Sequence, residues 1–99
     1  MNEIIPFSLT DDVLDIIEVS AENLLTIREI ARLLMCDEDE LRQQVANPYS
    51  PVHKRYYKGK TTTVLSIRKQ EIKLALSGSP QAVDKALDFI NDMNDDEIL

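Results

Sequence analysis

One histidine, His53, and one cysteine, Cys36, stand in a chain of 99 residues, so the groups that most often carry nucleophilic or metal chemistry lack partners. A thiol or hydroxyl nucleophile needs a base beside it, and a tetrahedral zinc site needs several histidine or cysteine ligands. There is no nucleophile elbow and no glycine-rich phosphate loop. The expectation is a protein with no catalytic residues, no metal, no cofactor and no enzymatic activity. Cys36, close to Leu34, Met35 and Leu41, reads as a buried, reduced structural thiol. The run Asp37-Glu38-Asp39-Glu40 has carboxylates enough for a hard cation. It also has a plain reading as the first turn of a helix, where the dipole favours negative charge.

The remaining chemistry is electrostatic. His53, Lys54, Arg55, Lys58 and Lys60, interleaved with Tyr56 and Tyr57, form the densest basic cluster. The net charge of -7 argues against a nucleic-acid partner until its distribution is considered. Residues 1–24 carry six acids and no base, and residues 84–99 carry six acids against Lys85. Residues 41–77 carry eight bases against Glu71 alone. That middle segment can meet a polyanion while the acidic ends face away or meet another partner.

The elements that must hold these groups read as helices. Thr10 caps a first helix that reaches about Asn23, with Leu14, Ile17, Ala21 and Leu24 on one face. Thr26 to Glu29 forms a capping box for a second helix, whose Ile27, Ile30, Ala31 and Leu34 follow the spacing of an amphipathic helix. A second box, Asp37 to Glu40, opens a third helix after the Met35-Cys36 connection. That helix turns Leu41 and Val45 inward and Arg42, Gln43 and Asn47 outward, and Pro48 ends it.

Ser50-Pro51 starts a long fourth helix reaching about Ser77, weakened by Gly59 and by the threonines at 61–63. The rival for 52–67 is a β-hairpin wing around Lys58-Gly59-Lys60, though the apolar residues do not alternate cleanly. Gly78 stops the long helix, Ser79-Pro80 starts a fifth, and the tail 94–99 is expected to fray. The fold class is all-α: a helix-turn-helix bundle followed by a long helix and a C-terminal helical hairpin. The chain reads as one domain, 1–99, with a helix-turn-helix unit at 10–48, a long helix plus C-terminal helix at 50–93, and the acidic tail.

Two short helices joined by a three- or four-residue turn, with Ala31 in the first and Leu41 in the second, have the spacing of a helix-turn-helix. The third helix then enters the major groove. Arg42 suits guanine, Gln43 or Asn47 suits adenine, and Lys54, Arg55, Lys58 and Lys60 suit phosphates. Thr26 and Arg28 complete the DNA-contacting set. Glu38 and Asp39 would lie near phosphates and repel them. An ordinary helical hairpin with a solvated polar face is the alternative.

The chain resembles the small subunits of phage DNA-packaging terminases over residues 12–93. The likeness rests on Thr-Ile-Arg-Glu-Ile-Ala-Arg-Leu-Leu at 26–34, Asn-Pro-Tyr-Ser-Pro-Val-His-Lys-Arg-Tyr-Tyr-Lys-Gly-Lys at 47–60 and Ile-Lys-Leu-Ala-Leu-Ser-Gly-Ser-Pro-Gln-Ala-Val at 72–83. The resemblance implies a DNA-binding unit that marks viral DNA for packaging, assembles into a homo-oligomer and presents double-stranded DNA to a large ATPase and nuclease subunit. Two other classes remain open: a prophage or bacterial transcription regulator, and a protein-interaction adaptor that binds no DNA. No stretch is apolar for long enough to span a bilayer, and the start has no secretory pattern, so a cytoplasmic location is expected.

Overall fold

The computed structural model describes residues 9–98. Leu99 of the expected tail and Glu3 of the acidic start lie outside the described residues. Among the described residues five helices follow one another: α1 Asp11–Glu22, α2 Ile27–Leu34, α3 Glu38–Ala46, α4 Pro51–Leu76 and α5 Pro80–Ile98. No strand occurs among the described residues, and the fold is all-α. Segment 52–67 is helix, not hairpin.

Each helix begins where a side chain satisfies an orphan amide. The Val13 amide donates to Thr10 Oγ1 at 3.2 Å. Thr26 and Glu29 exchange bonds in a complete capping box. The Glu40 amide donates to Asp37 Oδ2 at 3.0 Å, and the Val52 amide to Ser50 Oγ at 3.1 Å. A missing cap of this kind costs about 1 kcal/mol.

The helix ends are less obvious. Leu25 N donates to Ser20 O and Leu24 N to Ala21 O; Cys36 N donates to Ala31 O and Met35 N to Arg32 O; Ser79 N donates to Leu74 O and Gly78 N to Ala75 O. Each pair is a Schellman closure, which needs a left-handed residue at its centre. Gly78 supplies φ 99°, but Leu24 and Met35 stand at φ 64° and 56°. Leu24 therefore leaves the apolar face of α1 and is exposed, while half-buried Leu25 packs on the core. Met35 pays steric strain that glycine avoids. Met35→Gly is expected to raise stability by about 0.5 kcal/mol, the relief of strain exceeding the extra disorder of the unfolded chain. A fall in the urea midpoint would contradict that.

The chain forms two units, dividing between Thr63 and Val64. In the first, Leu14 and Ile17 of α1, Ile30 and Ala31 of α2, Leu41 and Val45 of α3, and Val52 of α4 form one buried cluster. Burial of each large side chain there contributes about 1.5–3 kcal/mol. Cys36 lies half-buried against this cluster rather than inside it. Burial, reinforced by Glu40 and Asp37, pushes its thiol above the usual range, which suits an inert structural role.

At Gly59 the backbone of α4 comes close to that of α1. A Cβ built on it would lie 2.1 Å from the Glu18 carbonyl oxygen and 3.0 Å from the Glu22 amide. The Thr63 hydroxyl donates to the Glu22 carbonyl beside it. The glycine that lowers helix propensity is therefore the one that lets this crossing form.

The second unit holds the end of α4 and α5. Ala82 is its one buried residue among those described, whereas Leu65, Ile72, Leu76, Leu87 and Ile90 are exposed. Arg68 lies over the Phe89 ring, 4.9 Å from the centroid. The expected fraying of 94–98 is not found, since α5 continues to Ile98. No proline or glycine follows Met93, and each added residue extends an existing helix by one hydrogen bond without a new nucleation cost.

Candidate nucleic-acid interface

The pair α2 and α3 is joined by Met35, Cys36 and Asp37. The turn is reversed by left-handed Met35 and restarted by the Asp37 cap, so three residues suffice. The buried Ile30 and Ala31 of α2 and Leu41 and Val45 of α3 belong to the one core cluster. A short turn between two helices that share a core fits a helix-turn-helix and an ordinary helical hairpin alike.

Gln44, at a position where such motifs usually have an inward apolar side chain, has a polar task instead. Its Oε1 accepts from Ser50 Oγ at 2.6 Å, and Ser50 Oγ in turn caps Val52. His53 Nδ1 meets the Val45 carbonyl at 2.6 Å. Because a carbonyl only accepts, Nδ1 carries the proton. His53 and Gln44 thus tie α3 to the start of α4, a structural role that composition did not disclose.

The expected DNA-contacting residues separate into four groups. Arg28 and Arg42 converge: each donates through Nε at 3.0 Å to one oxygen of the Glu38 carboxylate. Hydrogen bonds from Arg42 and then Arg28 hold the Glu38 carboxyl below its usual range. Arg55 and Lys58 turn towards α1. Arg55 donates to Glu18 Oε1 at 2.6 Å and to Asp15, and Lys58 Nζ lies 3.8 Å from Glu18 Oε2. Glu18 and Asp15 raise the Arg55 guanidinium still further above neutrality.

Thr26 and Asn47 serve local structure. The Thr26 hydroxyl caps α2 through the Glu29 amide, and Asn47 Oδ1 accepts from the Tyr49 amide at 3.0 Å in the turn before α4. Gln43, Lys54 and Lys60 remain on the exposed surface, with Lys60 Nζ 5.9 Å from the Tyr57 ring centroid. Tyr57 also stacks at a tilt on His53, with centroids 4.7 Å apart, and meets Tyr56 edge-on.

Glu38, Glu18 and Asp15 were thus missed as partners of the basic groups. The i,i+4 spacing of Glu38 and Arg42 was a usable signal. Nothing local signals that Glu18 and Asp15 meet Arg55, which lies 37 and 40 residues away. The acidic run at 37–40 has structural employment: Asp37 caps the helix and Glu38 binds two arginines. Among the described residues no helix is long and apolar enough to cross a membrane. Comparison of the sequence and fold with protein-family models, curated proteins and solved structures finds no match.

Proposed function

We propose that this chain binds double-stranded DNA through α2 and α3, with α3 entering the major groove, in the manner of the terminase small subunits it resembles. The observation that carries the reading is the three-residue turn joining two short helices that share one core, with Arg42 and Gln43 exposed on the second. Lys54 and Lys60 supply exposed cations on the following helix for the phosphate backbone. In this role the protein marks viral DNA and hands it to a large ATPase and nuclease subunit.

A second copy of the chain is the natural partner of the second unit. With Ala82 as its one buried residue among those described, a helical pair this small lacks a core of its own, and association is the usual remedy. Light scattering at micromolar concentration is expected to give a mass above 11.3 kDa; a persistent monomer would remove this part of the proposal.

Titration against mixed-sequence duplex DNA tests the central reading. Binding at low salt is expected to weaken steeply by moderate salt, with a dissociation constant of about 10⁻⁴–10⁻⁶ M for non-specific DNA at physiological salt. Lys54→Glu with Lys60→Glu is expected to abolish it. Arg55 is unsuitable for this test because its ion pairs hold α4 to α1.

One observation favours a different class. Arg28, Arg42 and Arg55 all bind carboxylates of the same chain, and α3 opens on acids. Absence of duplex binding at low salt would select a protein-interaction adaptor. Tight binding to one palindromic site by a two-fold dimer would select a transcription regulator.

A further inference from the structure

Two guanidinium groups from different helices meet on one carboxylate. Arg28 stands in the first turn of α2 and Arg42 in the body of α3, and their Nε atoms each lie 3.0 Å from a separate oxygen of Glu38. All three side chains remain open to solvent, at 61% exposure for Arg28, 47% for Arg42 and 31% for Glu38. A phosphodiester presents two charged oxygens to the same kind of donor fork as a carboxylate does, and arginine recognises both. In a helix-turn-helix the first helix crosses the DNA backbone while the second enters the groove, so a pair bridging the two stands where the backbone passes.

We infer that Arg28 and Arg42 together form a binding site for a backbone phosphate of duplex DNA, occupied in the free protein by the Glu38 carboxylate, which a phosphate displaces. The inference rests on the DNA-binding reading. Exposed ion pairs contribute little to stability, so the exchange costs the fold little. Glu38 is ionised at neutral pH, its carboxyl being held below the ordinary range by Arg42 and Arg28, and it therefore screens both arginines. Of the other acids on this turn, Asp37 is spent on the Glu40 amide, while Asp39 and Glu40 are exposed and oppose DNA with or without the exchange.

The test compares Glu38→Gln with Asp39→Asn, which removes the same charge from the same turn without releasing the arginines. Each full-length variant is checked for helicity and titrated with a 20-base-pair duplex over a salt series. Glu38→Gln is expected to tighten binding about tenfold at low salt, because the phosphate no longer has to displace a carboxylate, while the log–log salt slope changes by less than about 0.5, the same phosphate being contacted in both proteins. Asp39→Asn is expected to change affinity by about twofold. Adding Arg28→Ala and Arg42→Ala to Glu38→Gln should erase the gain.

Binding by the unmodified protein with Glu38→Gln no tighter than Asp39→Asn would overturn the inference and leave the DNA reading standing. So would a gain that survives loss of both arginines. No binding by the unmodified protein or by Glu38→Gln at low salt would overturn both.

Discussion

Gly59→Ala is expected to destabilise the protein by about 3 kcal/mol or more, although alanine is the better helix former. In an exposed helix the same exchange would stabilise by about 1 kcal/mol, because glycine loses more backbone freedom on folding. Here the added methyl would stand 2.1 Å from the Glu18 carbonyl oxygen, and its other near neighbours, Glu18 C and Glu22 N, are also backbone. No side-chain rotation relieves that clash, so α4 must move off α1. Overpacking alone typically costs 1–3 kcal/mol. The displacement also strains the Arg55 bonds to Glu18 and Asp15 and the bond from Thr63 to the Glu22 carbonyl. Against a total stability of about 5–15 kcal/mol for a typical domain, this is a large fraction. Urea denaturation followed by circular dichroism reads the sign directly: a higher midpoint would mean that α4 does not pack on α1.

Leu41→Ala should cost about 3 kcal/mol and should uncouple α3 from the first unit. This helix buries two side chains, Leu41 at 1% exposure and Val45 at 4%. Truncating the larger one leaves a cavity among Ile17, Ile30 and Val52, which are all fully buried, and leucine-to-alanine changes in such sites cost 2–5 kcal/mol, with about 3 typical. Because Arg42 and Gln43 directly follow Leu41 in sequence, losing its anchorage also disperses the surface proposed to meet DNA. The paired control is Gln43→Ala, an exposed change expected to leave stability within about 0.5 kcal/mol while weakening the proposed base contact. Equal urea midpoints for the two variants would show that Leu41 does not anchor α3.

Where helices begin was legible from the chain alone. Thr10, the Thr26–Glu29 box, Asp37, Ser50-Pro51 and Ser79-Pro80 all act on amides within three residues of themselves, so their signal is local and survives in any fold that keeps the helix. The amphipathic spacing of α2 and α3 likewise identified Ile30, Ala31, Leu41 and Val45 as core, since burial follows helical periodicity. Pro48 and Gly78 marked their stops for the same local reason.

Three other features came only with the tertiary structure. Leu24 and Met35 take left-handed conformations that their own side chains disfavour, because docking of neighbouring helices in one core outweighs about 1–2 kcal/mol of local strain at each position. Gly59 looked like a weakness in α4 until α1 was placed against it. The basic residues looked equally available, but Arg55 meets partners 37 and 40 residues away. Charge pairing across such distances depends on which helix faces meet. Local rules therefore determined the helices, and the packing of α1 and α3 decided which of the cations meet a carboxylate of the same chain.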